Sequence, residues 1–227
     1  MLISHKHRFV FTKTVKTAGT SVELLLEPFC AGAGHRVTET TDAVESAVGV
    51  IGARGAPEAV QQARWYNHMP AAIIKAQLGA ATWDAYCKFT VVRNPYDKMV
   101  SWFHFRHLPQ SLCAEMDFAE IKARFRRYIL GGARLAGDDL SPAMDRDKYA
   151  IDGALCVDRL LRYEDLDAEL RALAGRLGLD LAGRELPRAK GQYRPPGRHH
   201  RDYYDDDSAA VIARAFDFEL ATFGYRL

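Results

Sequence analysis

Apolar positions fall in short continuous runs that alternate with stretches of helical spacing. Phe9-Val-Phe11 is one such run; it passes through Thr12-Lys-Thr-Val-Lys-Thr-Ala-Gly19 into Val22, Leu24, Leu25 and Leu26, the pattern of a strand, a polar turn and a helix. Phe89-Thr-Val-Val92 repeats it, with a helix opened by Pro95 and striped by Tyr96, Met99, Val100 and Phe103. Between the two, Pro70 to Tyr86 predicts a helix with Ile73, Ile74, Leu78 and Trp83 facing inward. Further along, spacing predicts helices over Phe118 to Leu130, through Leu166, Leu170, Leu173 and Leu177, and from Ser208 to Phe223, with a strand over Ala154 to Arg162. Ala31 to Arg64 has no clean period and reads as loops with one short helix, and 131–147 is equally uninformative. Strands alternating with helices predict the α/β class, a three-layer sandwich with a mostly parallel central sheet. The 227 residues suffice for one sizeable core, so a single domain over 1–227 is expected.

The first turn has the composition of an anion cradle. Gly19 permits close backbone approach, the N–H groups of Gly19, Thr20 and Ser21 open a helix, Lys16 adds a charge, and Thr17, Thr20 and Ser21 add hydroxyls. The expected ligand is a phosphate or sulfate ester. The triphosphate loop G-x-x-x-x-G-K-[ST] does not fit, because Lys16 precedes Gly19 and no glycine opens the turn. In the second motif, Arg93 stands at the carboxyl end of a strand, where ligands sit in open α/β sheets and where a planar guanidinium can hold a phosphate bidentately.

Lys16-Thr-Ala-Gly-Thr-Ser21 resembles the 5′-phosphosulfate loop of sulfotransferases that use 3′-phosphoadenosine 5′-phosphosulfate (PAPS), and Arg93-Asn-Pro95 followed by Ser101 resembles their 3′-phosphate element. Asn67-His-Met-Pro-Ala71, Val157 to Asp165 and Arg201-Asp-Tyr-Tyr-Asp-Asp206 are similar to the branch of carbohydrate O-sulfotransferases and their short bacterial relatives. The resemblance implies a P-loop-like sulfotransferase fold, PAPS as donor and adenosine 3′,5′-bisphosphate as product. It implies donor binding by Lys16, Thr17, Ala18, Gly19, Thr20, Ser21, Arg93 and Ser101. It also implies a catalytic base at His68, an acceptor hydroxyl on a glycan, lipid-linked sugar or small metabolite, and chemistry that needs no metal. Acids in Asp205-Asp-Asp207 read instead as caps of the last helix.

Thirty-one Lys and Arg against 29 Asp and Glu leave little net charge, so global attraction to nucleic acid is not expected. Positive charge is local, in the aperiodic 178–207 stretch, where Lys190, Gly191, Tyr193 and Arg194 offer cations, a turn and a ring for the nucleotide end of the donor. Cys30, Cys87, Cys113 and Cys156 lack metal-type spacing and read as reduced thiols. No apolar run is long enough for an anchor or signal, so a cytoplasmic protein without a membrane span is expected; oligomeric state is not readable.

Sulfuryl transfer, like phosphoryl transfer, depends on positioning and charge stabilisation. Lys16 suits the oxygen between sulfur and phosphorus, and the acceptor proton needs a base near neutrality, for which Glu23 is the alternative to His68. Two other functions compete: a small-molecule kinase, and a non-catalytic adenosine-bisphosphate-binding protein.

Overall fold

The computed structural model describes residues 1–55, 57–108, 110–131, 143–187, 189 and 197–227. In chain order the elements are β1 (Leu2–Ser4), β2 (Phe9–Phe11), α1 (Gly19–Leu26), β3 (Val44–Glu45), β4 (Gly49–Ile51), α2 (Pro57–Gln62), α3 (Ala71–Leu78), α4 (Ala80–Ala85) and β5 (Cys87–Val92). Then come α5 (Pro95–Arg106), α6 (Gln110–Glu115), α7 (Phe118–Leu130), α8 (Arg146–Tyr149), β6 (Ala150–Ile151), β7 (Ala154–Leu155), β8 (Arg159–Arg162), α9 (Leu166–Leu177), α10 (Asp206–Ala215) and α11 (Asp217–Phe223). The chain divides into two compact units, Met1–Val92 with Asp145–Ala189, and Arg93–Met144 with Lys190–Leu227.

The first unit is a mixed α/β layer structure built on a six-stranded sheet of order β3-β4-β1-β2-β5-β8. Parallel pairing, the expected mode, holds for β2 with β5 and β5 with β8. The other half differs from the expectation: β1 pairs antiparallel with β2 and β4, and β3 antiparallel with β4. For β1 and β2 the reason is length. Leu2-Ile3-Ser4 returns through the tight turn at His5–Arg8, and a hairpin this short permits only antiparallel pairing. Parallel register sets Phe11 beside Phe89, so the carboxyl ends of β2 and β5 leave the same edge of the sheet.

Alternation assigns the two faces. Leu2, Phe9, Phe11, Phe89, Val91 and Leu161 bury one face with Val22, Leu25 and Leu26 of α1 and Leu166, Leu170 and Leu173 of α9. Met1, Ile3, Val10 and Val50 bury the other with Trp65, Ala71 and Ile74, and Trp83 of α4. The three layers of the expected sandwich are thus present in this unit. Two predicted elements are divided. Gly79, at φ +86°, splits the 70–86 helix into α3 and α4; within α3 the core face holds Ala71 and Ile74, and Ile73, expected inward, faces out at 39% exposure. The 154–162 strand becomes β7, in a two-stranded hairpin with β6, and β8 in the main sheet.

The second unit is helical among its described residues. α5 buries Tyr96, Met99, Val100 and Phe103, the predicted stripe, and α7 buries Ile121, Phe125 and Ile129. Phe103 meets Phe125 edge-on at 5.3 Å between centroids, and Phe125 meets Tyr203 and Tyr204 in the same way. The predicted terminal helix is two, α10 and α11, joined at Phe216, with Asp205 capping α10 through Ser208. Among the described residues no helix is long and apolar enough to cross a membrane, and the four cysteines are free.

Candidate active site

β2 delivers the chain into a loop whose form is fixed from below. Thr14 Oγ1 donates to the Val91 carbonyl (2.5 Å) and lies 2.7 Å from Thr17 Oγ1, and the Val15 N–H donates to Asp145 Oδ2 (2.9 Å). Lys16 and Ala18 both adopt left-handed backbone, φ +58° and +57°. For non-glycine residues that conformation costs on the order of 1–2 kcal/mol each, and such strain collects at ligand-binding turns. Ala18 is the N-cap of α1 and supplies no side-chain cap; the first turn holds no acid. The N-terminal N–H groups of Gly19, Thr20 and Ser21 therefore keep their positive end uncompensated by any side chain of that turn. Ser21 Oγ accepts from the Ala189 N–H (3.3 Å), which brings the end of the 178–189 stretch against the helix start.

Beneath this loop lies a charge cluster. Glu23, fully buried, accepts from the Met1 ammonium at Oε1 and from Lys13 Nζ at Oε2, both at 2.6 Å. Lys13 Nζ also donates to Thr20 Oγ1 (3.1 Å). Burial alone would raise the Glu23 carboxyl, but the two ammoniums outweigh it and hold the group down at about 2. Glu23 is thus excluded as the alternative base: it has no exposed surface and keeps its charge in two ion pairs. Gly19 sits on the Lys13 stem, where a Cβ would lie 2.6 Å from Lys13 Cγ.

His68 approaches from the segment before α3. Its Nδ1 lies 3.2 Å from the Lys13 carbonyl oxygen. A carbonyl only accepts, so Nδ1 carries the hydrogen and Nε2 the lone pair, the arrangement a proton acceptor requires. The ring is part-exposed, and His68 too is left-handed, φ +56°. Burial first, then the Lys13 and Met1 ammoniums, push its pKa down to about 3, below the neutral range expected from the sequence. The imidazole is accordingly neutral at physiological pH.

In the second unit Arg93, which follows β5, donates from Nε to Asp97 Oδ2 (2.8 Å), with Nη2 at 2.7 Å from the same oxygen. Asn94 caps α5 by accepting from the Tyr96 N–H and donates from Nδ2 to the Arg226 carbonyl (2.7 Å). Asp97 also faces His200 Nδ1 at 3.6 Å. Ser101 is part-exposed two turns into α5.

Of the predicted residues, Gly19, Thr20 and His68 thus meet around Lys13 in the first unit, while in the second Arg93 stands just before α5 and Ser101 two turns into it. Lys190, Gly191, Tyr193 and Arg194 lie outside the described residues. Sequence reasoning passed over Lys13, Asp145 and Asp97. Asp97, four residues after Arg93, was readable as an i, i+4 pair; nothing local marks Asp145, 130 positions from its partner. Among the described residues no His, Cys, Asp and Glu group has metal-site geometry.

No protein-family model matches the chain and no curated protein matches it. Among solved structures it is similar to the mouse sulfotransferase SULT7A1 complexed with PAP, with a TM-score of 0.47 and 15% identity over 95% of this chain and 84% of that one.

Proposed function

We propose that the protein is a PAPS-dependent O-sulfotransferase that moves a sulfuryl group to an acceptor hydroxyl, on a carbohydrate or glycoconjugate as the first choice. One observation carries this reading: a strained loop that presents Lys16 and the uncapped, acid-free N-terminus of α1, with a neutral histidine 3.2 Å from the same loop's backbone. Cation and helix dipole suit the 5′-phosphosulfate. As the acceptor oxygen bonds to sulfur and the bond from sulfur to the phosphate oxygen breaks, the electron pair goes to that oxygen, which Lys16 neutralises, and the acceptor proton goes to His68 Nε2, whose basicity, low through burial beside Lys13, rises once the anionic donor is bound. Thr17, Ala18, Gly19, Thr20 and Ser21 are assigned to the phosphosulfate, and Arg93 with Ser101 to the 3′-phosphate. Lys190, Gly191, Tyr193 and Arg194 are assigned to the nucleoside.

Calorimetry with adenosine 3′,5′-bisphosphate, AMP and ATP tests the reading. Preference for the bisphosphate is expected; equal affinities, or a preference for ATP, would overturn it in favour of a kinase. Incubation with labelled PAPS and a cell extract would then identify the acceptor.

A further inference from the structure

The proposed function leaves Lys13 without a role, yet this residue touches several groups of the site. Its stem is pinned under Gly19, its ammonium reaches Glu23 and Thr20, and its carbonyl receives the His68 ring. Thr20 Oγ1, once it accepts from an ammonium, can use its own hydrogen only as a donor elsewhere, and among the described residues it makes no other hydrogen bond. The half-buried hydroxyl at the second position of α1 is thereby turned from an ambivalent group into an oriented donor at the anion-facing helix end. On its other side the same residue fixes His68 with Nε2 as the acceptor.

We propose that Lys13 is the positioning residue of the site, coupling the two ends of the reaction: its side chain orients the Thr20 hydroxyl toward the anion and its backbone oxygen sets the His68 tautomer. This rests on the sulfotransferase reading for its purpose, though not for its contacts. The charged groups that bear on the His68 ring are Lys13 itself, the Met1 ammonium and Glu23, the first two opposing protonation and the third favouring it. Removing the Lys13 charge therefore leaves a mark on His68 that loss of packing alone does not produce.

Two measurements test the link. Nitrogen chemical shifts of the His68 ring in the wild-type protein at pH 7 should report hydrogen on Nδ1; hydrogen on Nε2 overturns the proposal without any variant. In Lys13→Met, which keeps most of the stem, the His68 titration midpoint should move upward, and adenosine 3′,5′-bisphosphate should bind about two- to tenfold more weakly, the worth of one oriented neutral hydrogen bond. Thr20→Val should lose the same affinity, with the double variant no worse than either single one. Additive losses, or an unmoved His68 midpoint in a folded Lys13→Met, overturn the coupling. Should Lys13→Met fail to fold, the ring tautomer and the salt-insensitive Thr20→Val affinity loss in otherwise intact protein decide the matter. If the wild type binds no bisphosphate at all, the sulfotransferase reading fails, while the His68 shift still reports on Lys13.

Discussion

Glu23→Gln removes the anion that holds two buried ammoniums, and the loss can be worked from the structure. The carboxyl is held at about 2 against an ordinary 4.5, a gap of about 2.5 units, or roughly 3 kcal/mol at 1.36 kcal/mol per unit. Since the folded value lies below the unfolded one, that contribution is complete above about pH 4.5 and is lost as pH falls through about 2. Neutralising the centre of a buried ion-pair group leaves Lys13 and Met1 without compensation and costs about 3–5 kcal/mol. For a chain of this size the midpoint of thermal unfolding should fall by about 6–20 °C at pH 7. Denaturant unfolding of both proteins at several pH values between 7 and 2 is the assay. Wild type should lose about 3 kcal/mol more than Glu23→Gln between pH 5 and 2, so their curves converge. Parallel curves, or a loss under about 1 kcal/mol at pH 7, would refute the reasoning and show that water or rearrangement screens the cluster.

Lys16→Ala should weaken adenosine 3′,5′-bisphosphate by about 10- to 100-fold, the worth of a charge-assisted contact of roughly 1.5–3 kcal/mol, as read by calorimetry. Arg93→Ala should raise the dissociation constant of the same ligand and Arg93→Lys should restore it only in part, because an ammonium cannot reproduce the fork; a turnover defect at unchanged affinity would count against the 3′-phosphate role. His68→Ala should bind the nucleotide normally while transfer slows by about a hundred- to ten-thousandfold. With its pKa pushed down to about 3, His68 should contribute no inflection to the pH dependence of kcat/KM between pH 5 and 8, and one that disappears in His68→Ala would contradict its environment. Gly19→Ala should destabilise the fold by about 1–3 kcal/mol in denaturant unfolding, since the new Cβ overlaps the Lys13 stem, which Glu23 prevents from moving.

What was readable in the sequence was local. Each motif is a strand, a turn and a helix within some fifteen residues, so period and capping chemistry placed Lys16, Gly19 and Arg93 on the right elements. Gly79 stood in plain view, but the apolar spacing on either side of it hid the break between α3 and α4. Strands β3 and β4 escaped because two or three residues show no period; β4 is held by pairing with β1, and β3 by pairing with β4. Lys13 and Glu23 carried no signal of partnership either, since it depends on how the loop folds back over α1. A carboxylate near a candidate site looks like a base until its burial is known, and zero exposure reverses the assignment.

The separation of β5 from β8 bears on how the chain is made. β5 is a largely buried strand whose parallel partner β8 begins at Arg159, 67 residues after β5 ends at Val92. At about 5–20 residues per second, the ribosome takes roughly 3–13 s to supply that partner, while residues 93–144 of the intervening stretch belong to the other unit. During that interval one edge of Cys87–Val92 has no strand to pair with, and an edge with unpaired backbone groups is the type of segment that recruits other chains. Nascent-chain arrest before residue 159 should therefore yield a species more prone to aggregate than arrest after residue 177, where β8 and α9 have both emerged.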